Sequence, residues 1–284
     1  MKLSQHNLPQ YFSIADSTNS WYSVPTNTFD FVARDSRTLV VTIGDSWTWG
    51  SDLSLNNKDN DFRRQNVFGN VITQQLDCDW LNLALSAQGN FWIASMVREL
   101  ATVISKLEYD TIHVICTFTG VLRWFNTKYD VDIDYISWFR QNIRQREDFD
   151  QLLIMLNQLC VDSVMTCLNT FSHVNLKFAT NFVDPIGFDA VPDQQLLATP
   201  WYEILDCRDT GKVYADTYYN TVYQAVEFID PKFHYIFKSW LLDIACQSEN
   251  RLKLLQDPAQ FRNFHPLIQG HKKWAQYVLE NLHK

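Results

Sequence analysis

Gly44-Asp45-Ser46-Trp47-Thr48-Trp49-Gly50 is the stretch of this 284-residue sequence whose residue types point most directly to chemistry. It follows the run Thr38-Leu39-Val40-Val41-Thr42-Ile43, which reads as a short buried strand ending at Gly44. In open α/β sheets, sites form at the carboxyl ends of strands. A serine placed there presents its Oγ above the sheet as a nucleophile, and its own N–H faces a developing oxyanion. Asp45, adjacent in sequence, is badly placed to orient a catalytic base as well, and is expected to bond nearby loop amides. Taken alone, Gly-Asp-Ser is also an ordinary turn.

Two further stretches carry compatible chemistry. Asn82-Leu83-Ala84-Leu85-Ser86-Ala87-Gln88-Gly89-Asn90 lies between a second strand and a long helix, where Gly89 has an N–H to offer the same oxyanion. The same loop equally suits a plain start of a helix with Asn90 as N-cap. Near the carboxyl terminus, Asn263-Phe264-His265-Pro266-Leu267-Ile268-Gln269-Gly270-His271 puts a histidine in a loop before the last helix. From there His265 is placed to return to the first strand as a general base. His265 and His271 also invite a metal reading, but no carboxylate–histidine set with ligand-like spacing accompanies them. No metal and no cofactor is expected.

The elements that must position these residues are legible as alternating strands and helices. After the first strand, Val67, Val71, Ile72 and Leu76 have helical spacing over 66–76, and Trp80 to Ala84 reads as a second strand. Phe91 to Leu107 is an amphipathic helix with Ile93, Val97, Leu100, Ala101, Ile104 and Leu107 on one face. Thr111 to Phe118 reads as a third strand, 147–168 as a helix, and Val174 to Phe178 as a fourth strand. Helices are expected near 233–247, 248–256 and from His271 to Leu282. Such alternation predicts an α/β domain with a parallel sheet covered on both faces. Residues 1–36 read as an irregular N-terminal segment, 37–284 as the domain, and 184–232 as an insertion or cap. Only eight glycines occur, so Gly44, Gly50, Gly89, Gly120 and Gly270 are expected where backbone freedom is needed.

The order of the three stretches resembles the SGNH (GDSL-like) hydrolase family over about residues 37–283. The resemblance implies a single-domain, flavodoxin-like three-layer α/β/α sandwich with a central parallel sheet. It also implies a carboxylic-ester hydrolase with Ser46 as nucleophile, His265 as base, and the N–H groups of Ser46 and Gly89 as oxyanion donors. Two positions depart from the family. Its third block reads Gly-x-Asn-Asp, whereas here Thr117-Phe118-Thr119-Gly120-Val121-Leu122-Arg123 puts Leu122 at the asparagine, leaving Thr119, Arg123 or Asn126 as substitutes. The acid that orients the histidine normally lies three residues before it, and here that residue is Arg262. A main-chain carbonyl, Asp257 or Asp184 would have to replace it.

Composition narrows the partners. A formal charge of −8, with short basic runs only at Arg140–Arg146 and His271–Lys273, argues against nucleic acid. No apolar stretch is long enough to span a bilayer, and MKLSQHNLPQ lacks a secretory layout, so a cytoplasmic or virion-associated protein of the phage or bacterial type is expected. The six scattered cysteines read as buried free thiols. Aromatics reach 14%, with Trp47 and Trp49 beside the serine and Trp201, Tyr202, Tyr214, Tyr218, Tyr219 and Tyr223 in the presumed insertion. Aromatic faces suit sugar rings and acyl chains, so the expected substrate is an ester, including acylated carbohydrate. Most of these rings equally suit the core. Two rival readings stay open: a catalytically silent protein of the same fold that serves as a binding or structural component, and a flavodoxin-like ligand-binding domain.

Overall fold

Along Thr38–Ile43, the first long strand (β2), alternate residues enter two different cores. Leu39, Val41 and Ile43 join one apolar cluster and Val40 the other, so both faces of the sheet are covered. The computed structural model describes residues 2–12, 29–51, 53, 59–86, 88–119, 146–181, 187–204, 261–262 and 265–283. In chain order after a short helix α1 (Leu8–Tyr11) come β1 (Asp30–Val32), β2, α2 (Ser46–Trp49), α3 (Asn60–Asn66), α4 (Phe68–Leu76) and β3 (Asp79–Asn82). Then follow α5 (Asn90–Ile104), β4 (Thr111–Phe118), α6 (Arg146–Leu168), β5 (Val174–Thr180), a 3₁₀ turn (Asp193–Gln195) and α7 (Trp201–Ile204). A two-residue pair, β6 (Phe261–Arg262) and β7 (His265–Pro266), precedes the last helix, α8 (Ile268–Asn281).

The sheet has the order β1-β3-β2-β4-β5, with β2, β3, β4 and β5 parallel and β1 antiparallel to β3. One face is covered by α5 and α6, whose Ile93, Val97, Leu100, Val161 and Val164 meet Val114, Cys116 and Phe118 of β4. The other is covered by α4 and α8, whose Phe68, Ile72, Trp274 and Val278 meet Val40, Trp80, Ile115 and Ala179. This is a three-layer α/β/α sandwich.

The N-terminal segment read as irregular supplies β1. Its register, Asp30 opposite Asn82 and Val32 opposite Trp80, extends the sheet by an edge strand. Three residues, one of them an aspartate, carry no usable period. The expected helix at 66–76 is α4, starting at Phe68, and a separate helix, α3, capped by the Asp59 carboxylate on Phe62 N–H at 2.8 Å, precedes it. Expected helices at 233–247 and 248–256 lie outside the described residues, as does most of 184–232. Cys78, Cys116 and Cys160 are buried free thiols and Cys167 is half-buried; burial pushes the Cys78 thiol up to about 11. Among the described residues no helix is long and apolar enough to cross a membrane.

Candidate functional site

Successive connections leave β2 in opposite directions: the chain runs from β2 to β3 on one side, then over β2 to β4 on the other. That reversal is a topological switch point, and the crevice beyond it is where open α/β sheets bind ligands. Ser46 stands there, as the first residue of α2 at the carboxyl end of β2, with 4% of its surface exposed.

The turn that holds Ser46 is fixed by its neighbours. Gly44 is required by close approach: a Cβ there would lie 2.3 Å from Thr48 Oγ1 and 3.0 Å from Thr117 O. Gly50 ends α2 at φ +86°, in the left-handed region that favours glycine, and its N–H donates to Ser46 O at 3.0 Å. Asp45 is fully buried; its Oδ1 accepts from Trp47 N–H at 3.0 Å and from Asn181 Nδ2 at 2.7 Å. Because Asn181 follows β5, that second bond reaches past the end of β4 and ties the carboxyl ends of β2 and β5 together.

The loop after β3 is strapped to the same turn. Leu83 N–H donates to Thr42 O at 2.8 Å and Leu85 N–H to Gly44 O at 3.2 Å, so the chain runs beside β2 beyond the end of β3. Ser51 Oγ donates to Ser86 Oγ at 3.1 Å. The loop delivers Gly89 to the start of α5 at φ −105°, ψ 176°, an extended conformation open to any residue. Gly89 is thus the N-cap, and Gly270 lies inside α8, so neither meets the expected demand for backbone freedom. Gly120 lies outside the described residues.

Asn90, expected as the N-cap, is instead the first residue of α5 and bonds sideways. Its Oδ1 accepts from Thr119 N–H at 2.9 Å, while its Nδ2 donates to Thr119 O at 3.1 Å and Asn157 Oδ1 at 2.8 Å. One buried amide therefore joins α5, the end of β4 and α6. Thr119, one of three residues named as replacements for the family's asparagine, has its backbone N–H and C=O both engaged in this clamp. Leu122, Arg123, Asn126, Asp184 and Asp257 lie outside the described residues.

His265 is placed by its backbone alone. Its strand, β7, lies against α2, with Cα atoms within 8 Å, so the late histidine and the strand-end serine belong to adjoining elements. Arg262 and His265 are register partners across the β6–β7 pair, which puts the third residue before the histidine directly opposite it. The position at which the family resemblance implies an acid holds Arg262, in register with His265.

His271 is structural. Its Nδ1 accepts from Phe68 N–H at 3.2 Å, satisfying a free donor at the start of α4, and its ring stacks on Phe68 at 10° and 6.3 Å. An accepting Nδ1 leaves the other nitrogen as the protonated one. Trp47, Trp49 and Trp201 are 2%, 0% and 0% exposed, and Trp201 stacks on Trp274 at 5.1 Å while Trp47 meets its edge at 5.3 Å. These three rings form core rather than a platform for a sugar.

The residue that pattern reading missed is Arg63 of α3. Its Nη1 donates to Trp49 O at 2.8 Å, its Nη2 bonds both oxygens of Asp30 at 2.8 and 2.9 Å, and its guanidinium lies 4.1 Å from the Trp49 ring centroid. Burial lowers the pKa of Arg63, and the Asp30 carboxylate beside it opposes that shift. The sequence signal was an arginine pair in a capped polar stretch, which ordinarily marks a solvated helix face.

Comparison with known proteins gives the following. The sequence matches no family model and no curated protein. Among solved structures, the lipase Lip_vut3 from a goat rumen metagenome is similar at 10% identity and a TM-score of 0.37, over 86% of this chain and 96% of that one. A carbohydrate esterase, whose active site is described as displaying divergent catalytic and non-catalytic binding functions, is similar at 13% identity and a TM-score of 0.36, over 88% of this chain and 69% of that one.

Proposed function

We propose that the protein is a serine hydrolase of the SGNH type that cleaves an ester, including an O-acyl group on carbohydrate. The observation that carries this reading is the convergence at the end of β2: Ser46 at the switch point, the strand of His265 against its helical turn, and the loop to Gly89 strapped to Gly44. In the proposed reaction Ser46 Oγ attacks the ester carbonyl while His265 takes its proton. The N–H groups of Ser46 and Gly89 hold the oxyanion, the alcohol leaves with the proton from His265, and water releases the acyl group in a second, matching step.

A second reading, a silent binding protein of the same fold, is favoured by Arg262 standing in register with His265. A cation opposite the base neither accepts an imidazole N–H nor stabilises an imidazolium. Fluorophosphonate labelling read by intact mass separates the two, because the reagent requires an activated serine and little substrate specificity. On the ester reading, wild type gains a single adduct and Ser46→Ala gains none. A folded wild type that takes no adduct overturns it in favour of the silent protein.

A further inference from the structure

We propose that the buried Arg63–Asp30 couple is a positioning device for the nucleophile turn, setting where α2, and with it Ser46, sits over the sheet; this rests on the reading of Ser46 as nucleophile. A helix of four residues has no stability of its own and keeps its place through the core packing of Trp47 and Trp49 and through what grips its ends. Asp45 and Gly50 shape the turn from within, through bonds to Trp47 N–H and Ser46 O. Arg63 grips it from outside, through the Trp49 carbonyl at the carboxyl end of α2 and the face of the Trp49 ring.

The guanidinium is itself anchored. Asp30 takes two bonds from Arg63 Nη2, a third from Arg64 Nε at 3.2 Å and a fourth from Asn82 Nδ2 at 3.3 Å. Asp30 and Asn82 are register partners in β1 and β3, so the end of α2 is referred, through one arginine, to two strands of the sheet. The Arg63 and Asp30 side chains are 1% and 0% exposed, so solvent supplies no alternative partner.

Simple stabilisation explains this arrangement poorly. A buried ion pair contributes little net stability compared with apolar packing of the same volume. What it adds is direction, because the planar fork fixes Nη2 toward both oxygens of Asp30 and Nη1 toward Trp49 O, an arrangement a lysine cannot reproduce. Direction matters most where a nucleophile must be held in attack geometry: a displacement of about 1 Å costs up to roughly a hundredfold in rate. Arg63 touches no reacting atom, so its effect runs entirely through the position of α2.

The test compares wild type, Arg63→Lys and the double variant Arg63→Met/Asp30→Asn, which removes the pair without leaving a buried charge alone. Two readouts are taken at equal folded fraction: the rate of fluorophosphonate labelling of Ser46 across pH, and hydrogen exchange of the amides of Trp49, Gly50 and Ser51 against those of β4 and β5. The expected result is labelling slower by roughly tenfold or more with an unchanged pH midpoint, together with faster exchange confined to α2. Labelling within about twofold of wild type in a folded variant overturns the proposal. So does exchange that rises equally in α2 and the sheet, which marks Arg63 as a general stabiliser. Should wild type take no label, the ester reading falls, and the exchange pattern alone decides whether Arg63 holds the turn.

Discussion

Asp45 is the side chain on which the shape of the turn at Ser46 depends most locally. Its Oδ1 serves two donors: Trp47 N–H, which would otherwise be a free amide at the start of α2, and Asn181 Nδ2. Asn181 is itself fully buried, and its own Oδ1 has no partner among the described residues. Replacing Asp45 by alanine therefore removes a cap and orphans a buried amide at once. Asp45→Ala is expected to cost about 2–4 kcal/mol in urea unfolding, the sum of a lost cap and an unsatisfied buried donor. Asp45→Asn keeps an acceptor oxygen in the same place and is expected to recover more than half of that loss. Equal losses in the two variants would mean that the acceptor geometry is not what matters there.

Between elements, Asn90 is the corresponding joint, since one side chain closes α5, the end of β4 and α6 onto each other. Asn90→Ala removes three buried hydrogen bonds, to Thr119 N–H, Thr119 O and Asn157 Oδ1, and about 2–4 kcal/mol of stability is expected to go with them, read by the denaturant midpoint. Asn90→Asp keeps the acceptor for Thr119 N–H but faces Thr119 O and Asn157 Oδ1 with a carboxylate, so it is expected to do no better than alanine. The contrast between legible and illegible parts of the fold lies at this scale. β2 and β4 coincide with their apolar, β-branched runs because each is buried on both faces and bounded by glycine or polar residues. α5 and α6 were visible in length because each lays one stripe on the sheet. Nothing comparable marks β1, whose buried Asp30 is met by Arg63, Arg64 and Asn82, all distant in sequence. The positions of Ser46 and the Gly89 loop followed from strand-end logic, whereas the grip of Arg63, the sideways bonding of Asn90 and the capping by His271 are long-range pairings. A pattern of neighbours along the chain carries no trace of those.

At the scale of the whole molecule, two histidines stand toward opposite ends of the sheet, and burial shifts the titration of His113. His265 belongs to the carboxyl end, where its strand adjoins α2. His113 lies near the amino end of β4, on the face covered by α8; its ring meets that of His283 edge-on at 5.5 Å, and it is 4% exposed. Burial, with His283 and Lys177 nearby, pulls its pKa from 6.5 down to about 4. The native protein therefore keeps His113 neutral well below the pH at which the unfolded chain takes up that proton. Its contribution to stability is complete above about pH 6.5, declines as pH falls and is exhausted near pH 4. Integrated over that window, the loss reaches up to about 3 kcal/mol. Urea unfolding of wild type and His113→Leu across the same range is expected to show a steeper acid decline in wild type, with the variant flatter by that amount. Parallel curves would assign the acid sensitivity to other groups. The labelling rate of Ser46 supplies the control: its pH midpoint is expected to be the same in wild type and His113→Leu, because on the proposed reading the Ser46 proton passes to His265, at the opposite end of the sheet. A midpoint that moved with His113 would mean that the two ends are coupled through β4, the strand that runs from His113 to the Thr119 clamp.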